Sequence, residues 1–186
     1  MDSFANALEA VAGALERAGI RFLIGGSVAS SARGVPRMTI DVDLLAEIRE
    51  QQADGFVAAL GPDWYADADA MRKSLQLGRP FNVIHMPSGQ KFDIFPAVSE
   101  FHRAELDRAS WMPVGRSGED RMYPVASQED ILLAKLVWYR QGGEVSERQW
   151  SDITGLAAGV AGLDRGYLEH WANRLGVMDL LDRARG

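Results

Sequence analysis

The sequence predicts an α/β (α+β) fold in which helices flank a mixed β-sheet and a helical part follows toward the C-terminus. Three observations carry this expectation. Apolar residues recur at helical spacing in the opening stretch, where Phe4, Leu8, Val11 and Leu15 fall on one face. Short β-rich runs, "RFLI" and "FNVIHMPSGQKFDIFPAV" among them, alternate with helical stretches. From Ser127 onward the pattern is helical, which divides a core, residues 1–126, from a C-terminal helical part, residues 127–186.

Each element has a local reason. Ser3 suits the cap of a first helix that ends near Gly19. "RFLI" is a short apolar strand that stops at Gly25-Gly26, and the small residues from Ser27 can begin a helix. Gly34 and Pro36 break the chain before "MTIDVDLLAEI", where Thr39, Ile40, Val42, Leu44 and Leu45 favour a strand. "EQQADGFVAALG" reads as a helix ending at Gly61. The stretch "PDWYADADAMRKSLQLGRP" is the least regular and reads as a short helix between loops. Around "PSGQ" the flanking β-rich runs form a hairpin, "SEFHRAELDRA" reads as a helix or a loop, and "GRSGED" centres a second hairpin. "SQED" is a capping box ahead of "ILLAKLVWYR", with further helices beyond it. The tryptophans at 111, 138, 150 and 171 are expected in the core and in helix packing.

Composition narrows the function. With 47% hydrophobic and 25% charged residues the chain is an ordinary globular one, and no apolar run reaches the ~20 residues of a membrane span. The start carries an acidic residue and no basic region ahead of an apolar one, so a cytoplasmic location is expected and no membrane partner. Absence of cysteine removes thiolate chemistry and leaves oxygen or histidine ligands for any metal. A net charge of -6 argues against extended duplex nucleic acid as a partner. The basic residues Arg33, Arg37, Arg72, Lys73, Arg79 and Lys91 are interspersed with acids and read as a mixed surface. His85, His102 and His170 have no metal-ligand spacing.

The chemistry concentrates in "FLIGGSVASSARGVPRMTIDVDLL", residues 22–45. Side chains alternate along a strand, so Asp41 and Asp43 share one face while Ile40, Val42 and Leu44 take the other. Two neighbouring carboxylates repel unless a cation lies between them, and Mg²⁺, or Mn²⁺ in its place, takes such oxygen ligands. Gly25-Gly26-Ser27 lies at a strand-to-helix turn where an anion can approach the backbone. Alone, the aspartates also suit a solvated strand end and the glycines a plain turn. Together they suit a metal-bound polyphosphate. Asp93, in "KFDIF", is a third acid opposite buried apolar neighbours, and three such carboxylates suit a two-metal site.

Ile24, Gly25-Gly26-Ser27, Asp41-Val42-Asp43 with Leu44, and Asp93 in "FDIF" resemble the motif of the nucleotidyltransferase superfamily of the DNA polymerase β type, most strongly over residues 20–96. "RMTIDVDL" and "SQEDILLAKL" also resemble the minimal bacterial nucleotidyltransferases related to the AbiEii toxin group. The resemblance implies a nucleotidyltransferase fold and Mg²⁺-dependent transfer of a nucleoside monophosphate from a nucleoside triphosphate to a hydroxyl acceptor, a small molecule, protein or RNA end. It implies Asp41, Asp43 and Asp93 as metal-binding and catalytic, with Gly25, Gly26 and Ser27 at the phosphates. Arg37 and Thr39 would line the nucleotide pocket, and Lys135 would meet the phosphates from a C-terminal helix. Arg148 and Asp152 form a further basic and acidic pair on the next helix. Two rival expectations remain at this point: a nucleotide- or partner-binding module without turnover, and the toxin of a pair whose partner protein is an antitoxin.

Overall fold

The computed structural model describes residues 3–32, 41–114, 121–159 and 162–186. It divides into two units, Met1–Ala126 and Ser127–Gly186. In the first, α1 (Ser3–Arg17) precedes β1 (Phe22–Ile24), α2 (Gly26–Ala32) and β2 (Asp41–Ala46). A single 3-10 turn, Glu50–Gln52, leads into α3 (Ala53–Leu60). Next come β3 (Trp64–Tyr65), α4 (Ala68–Gln76), the hairpin β4 (Phe81–His85) and β5 (Gln90–Pro96), then α5 (Glu100–Arg108), β6 (Ser110–Pro113) and β7 (Met122–Val125).

Among the described residues the strands form one seven-stranded sheet in the order β3-β4-β5-β2-β1-β7-β6. It is mixed: β2 pairs in parallel with β5 and β1 with β7, while the β1–β2, β3–β4, β4–β5 and β6–β7 pairs are antiparallel. β3 was not expected from sequence, because two residues are too few to display an alternating pattern. It continues the sheet past β4, with Trp64 opposite His85 and Tyr65 opposite Ile84.

Pairing fixes which side chains share a face, because residues opposite one another in a sheet point the same way. Val42, Leu44, Val83, Phe92 and Ile94 therefore lie on one face, all buried, and Trp64 packs its ring against His85 and Phe92 there. Burying a side chain such as Phe92 contributes about 1.5–3 kcal/mol. The opposite face carries Asn82, Ile84, Lys91, Asp93, Asp41 and Asp43. Its central positions are only partly covered.

Ser99 caps α5 by accepting the His102 backbone N–H, and the Val98 N–H donates to His102 Nδ1 at 3.2 Å. That bond requires an unprotonated Nδ1. Burial, reinforced by Arg103, pushes the His102 pKa below its ordinary value of 6.5. In the unfolded chain the ring protonates as pH falls through about 6.5, while in the folded chain it resists until the lower pKa is reached. Stability from this group is thus complete above the unfolded pKa and lost as pH falls below it. Denaturation of the wild type and His102→Gln should differ by a constant amount above about pH 7, and the gap should narrow between the two pKa values. A gap that stays constant on acidification contradicts this.

In the second unit, α6 (Gln128–Gln141) is followed by α7 (Glu147–Gly159), α8 (Arg165–Leu175) and α9 (Met178–Arg185). Gly176, left-handed at φ 69°, ends α8. Leu132, Leu133, Leu136, Ile153, Leu168 and Leu181 are buried. The tryptophan expectation needs correction: Trp111 is 62% exposed on the edge strand β6 and Trp138 is 38% exposed. Trp150 does take a packing role, with its ring tilted against Tyr139 and covered by the Arg183 guanidinium. No described helix is long and apolar enough to cross a membrane.

Candidate active site

The site begins with strand register. Parallel pairing sets Asp41 opposite Lys91 and Asp43 opposite Asp93, so four charged side chains occupy two rungs of one sheet face. Across β4 the second rung continues to Asn82, opposite Asp93. The three acids expected from sequence are thereby brought onto one surface by two adjoining strands. Lys91, one of the basic residues interspersed with acids in the sequence, stands with them. Its signal was its position two residues before Asp93, which places both on one face of the strand.

The Lys91 ammonium lies 2.9 Å from Asp93 Oδ2 and 3.3 Å from Asp41 Oδ2. Its hydrogen bond to Asp93, with help from Asp41, raises the lysine pKa above its ordinary value. Asp93 is 24% exposed at its side chain, Lys91 34% and Asp41 49%, so the pair is shielded from water on the Asp93 side.

Gly26 approaches from β1 and α2. Its φ is 56°, in the left-handed region, and a Cβ built on it would overlap the Asp43 carboxylate. Gly25 differs: its N–H donates to the Asp43 carbonyl at 2.9 Å and extends the β1–β2 pairing. The Gly25 amide expected at a phosphate is thus already engaged within the sheet. Ser27 lies in the first turn of α2, half-buried.

The donor set fits a hard divalent ion. It is oxygen-only, and a cationic group already rests against two of its three carboxylates. Among the described residues, however, no three acidic or histidine side chains converge on one point as a ready metal cage. A cleft of about 250 Å³ beside β4 is lined by Tyr65, Asp67, Ser74 and Asn82 among others. Asn82 connects this cleft with the Asp93 rung.

Of the remaining sequence candidates, Arg37 and Thr39 lie outside the described residues. Lys135 belongs to the second unit, on α6, where its ammonium lies 3.4 Å from Asp152 Oδ2 on α7. Its side chain is 16% exposed, so Asp152 accounts for the charge within that unit.

No protein-family model matches the chain, and no curated protein matches it at a significant level. Solved structures do. The chain is similar to the solution structure of the antibiotic-resistance factor ANT(2'')-Ia, with a TM-score of 0.55 and 16% identity over 98% of this chain and 99% of that one. It is also similar to the crystal structure of ANT(2'')-Ia in complex with adenylyl-2''-tobramycin, at a TM-score of 0.52 and 15% identity over 98% of each chain. These neighbours are nucleotidyltransferases. Likeness along nearly the whole of both chains, at so low an identity, is a likeness of architecture. The mixed sheet with its flanking helices is the nucleotidyltransferase fold.

Proposed function

We propose that this chain is a Mg²⁺-dependent nucleotidyltransferase that moves a nucleoside monophosphate from a nucleoside triphosphate to a hydroxyl acceptor and releases pyrophosphate. The observation that carries the reading is the juxtaposition of Asp41, Asp43 and Asp93 on one face of β2 and β5, with Gly26 closing against Asp43. In this reading residues 1–126 are the catalytic core. Likeness to a protein solved with an adenylylated small molecule, together with a net charge of -6, favours a small-molecule or protein acceptor over long nucleic acid.

Asp41 and Asp43 would hold the metal ion, which when bound supplies positive charge against the triphosphate. Gly26 and Ser27 border the β- and γ-phosphates, where only a residue without a side chain leaves Asp43 in place. Asp93 takes the proton of the acceptor hydroxyl. The acceptor oxygen forms its bond to the α-phosphorus, the bond from that phosphorus to the bridging oxygen breaks, and the electron pair leaves with pyrophosphate. Lys91 holds the Asp93 carboxylate in position for this transfer.

Calorimetric titration of each of the four nucleoside triphosphates, with and without Mg²⁺, tests the reading. Wild type should bind at least one of them only when Mg²⁺ is present, and the Asp41→Ala/Asp43→Ala double variant should lose that binding while remaining folded. Binding of none by folded wild type, or equal binding by the double variant, overturns it.

A further inference from the structure

Three carboxylates from two adjoining strands normally call for more than one positive charge. Here one of those charges is covalently attached. Lys91 emerges directly opposite Asp41, and its ammonium reaches along the strand to lie between Asp41 and Asp93. It therefore occupies the gap where an ion shared by these two acids would sit. Asp43, by contrast, is set against Gly26 on the other side of β2.

We propose that Lys91 stands in for one of the two divalent ions that three carboxylates of this kind could hold, so that the site takes a single divalent ion on the Asp41 and Asp43 side. This rests on the functional reading above. A second divalent ion at Asp93 would have to displace the ammonium from both of its partners and sit beside it in the same small space. Lys91 is thus a positioning residue. It keeps Asp93 directed toward the acceptor without committing that carboxylate to a metal, leaving it available to receive a proton.

The test uses Mn²⁺ alone, titrated into the full chain without nucleotide and followed by the electron paramagnetic resonance signal of the free ion. Wild type should bind one ion per chain, and binding of none would overturn the proposal. Lys91→Met should bind Mn²⁺ about tenfold more tightly or gain one ion per chain, since a unit positive charge within hydrogen-bond distance of the carboxylates is removed. Lys91→Arg, which keeps the charge, should behave as wild type. Adding Asp93→Asn to Lys91→Met should abolish the gain. Two ions on wild type, no gain in Lys91→Met, or a gain that survives Asp93→Asn would each overturn the proposal. Because the readout needs no nucleotide, it fails separately from the functional reading. A gain that depends on Asp93, in a protein whose wild type binds no nucleoside triphosphate, would uphold the lysine's role as a surrogate cation and reject the transferase.

Discussion

Gly26→Ala should abolish most Mg²⁺-dependent triphosphate binding, whereas Gly25→Ala should leave the fold intact. The two glycines adjoin in sequence but do different things. Gly26 has a φ of 56°, which costs a residue with a Cβ about 1–2 kcal/mol, and its added methyl would overlap the Asp43 carboxylate. Asp43 must then rotate away from the position it shares with Asp93 across the strands. Losing a charged ligand group costs about 1.5–3 kcal/mol, so affinity should fall at least tenfold, alongside a fall in unfolding free energy of about 1–2 kcal/mol from the backbone alone. Calorimetry and urea denaturation of the same preparation measure both. A Cβ on Gly25 would meet nothing nearer than 3.9 Å, an ordinary contact. Any loss of binding in Gly25→Ala, without loss of stability, would therefore report a ligand close to that backbone. If Gly26→Ala binds nucleotide as wild type does, Asp43 is not a ligand of the metal.

How much of this was legible in the sequence follows from the range over which each signal acts. Alternation along a strand is local, so the common face of Asp41 and Asp43, and the isolation of Asp93 from Phe92 and Ile94, could be read directly. That Lys91 faces Asp41 could not, because it depends on the register of two strands far apart in the chain, which pattern alone leaves open. The Gly25 amide illustrates the same limit: a glycine turn suggests exposed donors, but pairing with Asp43 had already used this one. β3 was missed because its two residues gain their strand character entirely from β4. Trp111 misled because bulk and apolarity suggest the core, whereas an edge strand can leave a large ring in solvent.

Asp130→Ala should destabilise the second unit by about 3 kcal/mol. "SQED" reads as a capping box, and Ser127 Oγ does accept the Asp130 N–H at 3.1 Å. The carboxylate has a larger part than a cap. Fully buried, it accepts the Ser127 hydroxyl at 2.6 Å and the Tyr167 hydroxyl at 2.6 Å, joining the start of α6 to α8. Truncation would leave the buried Ser127 hydroxyl and the part-buried Tyr167 hydroxyl without this acceptor, and hydrogen bonds to a charged group contribute about 1.5–3 kcal/mol each. Asp130→Asn keeps the shape but offers one acceptor oxygen in place of two, so it should cost less than the truncation. Tyr167→Phe removes a single partner and should cost less again, and the Asp130/Tyr167 pair should show coupling of about 0.5–3 kcal/mol in a double-mutant cycle. The denaturant dependence of the helical circular dichroism signal in the full chain provides these values. A cost for Asp130→Ala below about 1 kcal/mol, the range of ordinary surface changes, would mean that water replaces the lost carboxylate. The same helix carries Lys135, one turn and a half beyond Asp130 and tied to α7 through Asp152. Two part-buried polar links, one to α8 and one to α7, thus tie α6 to its neighbours.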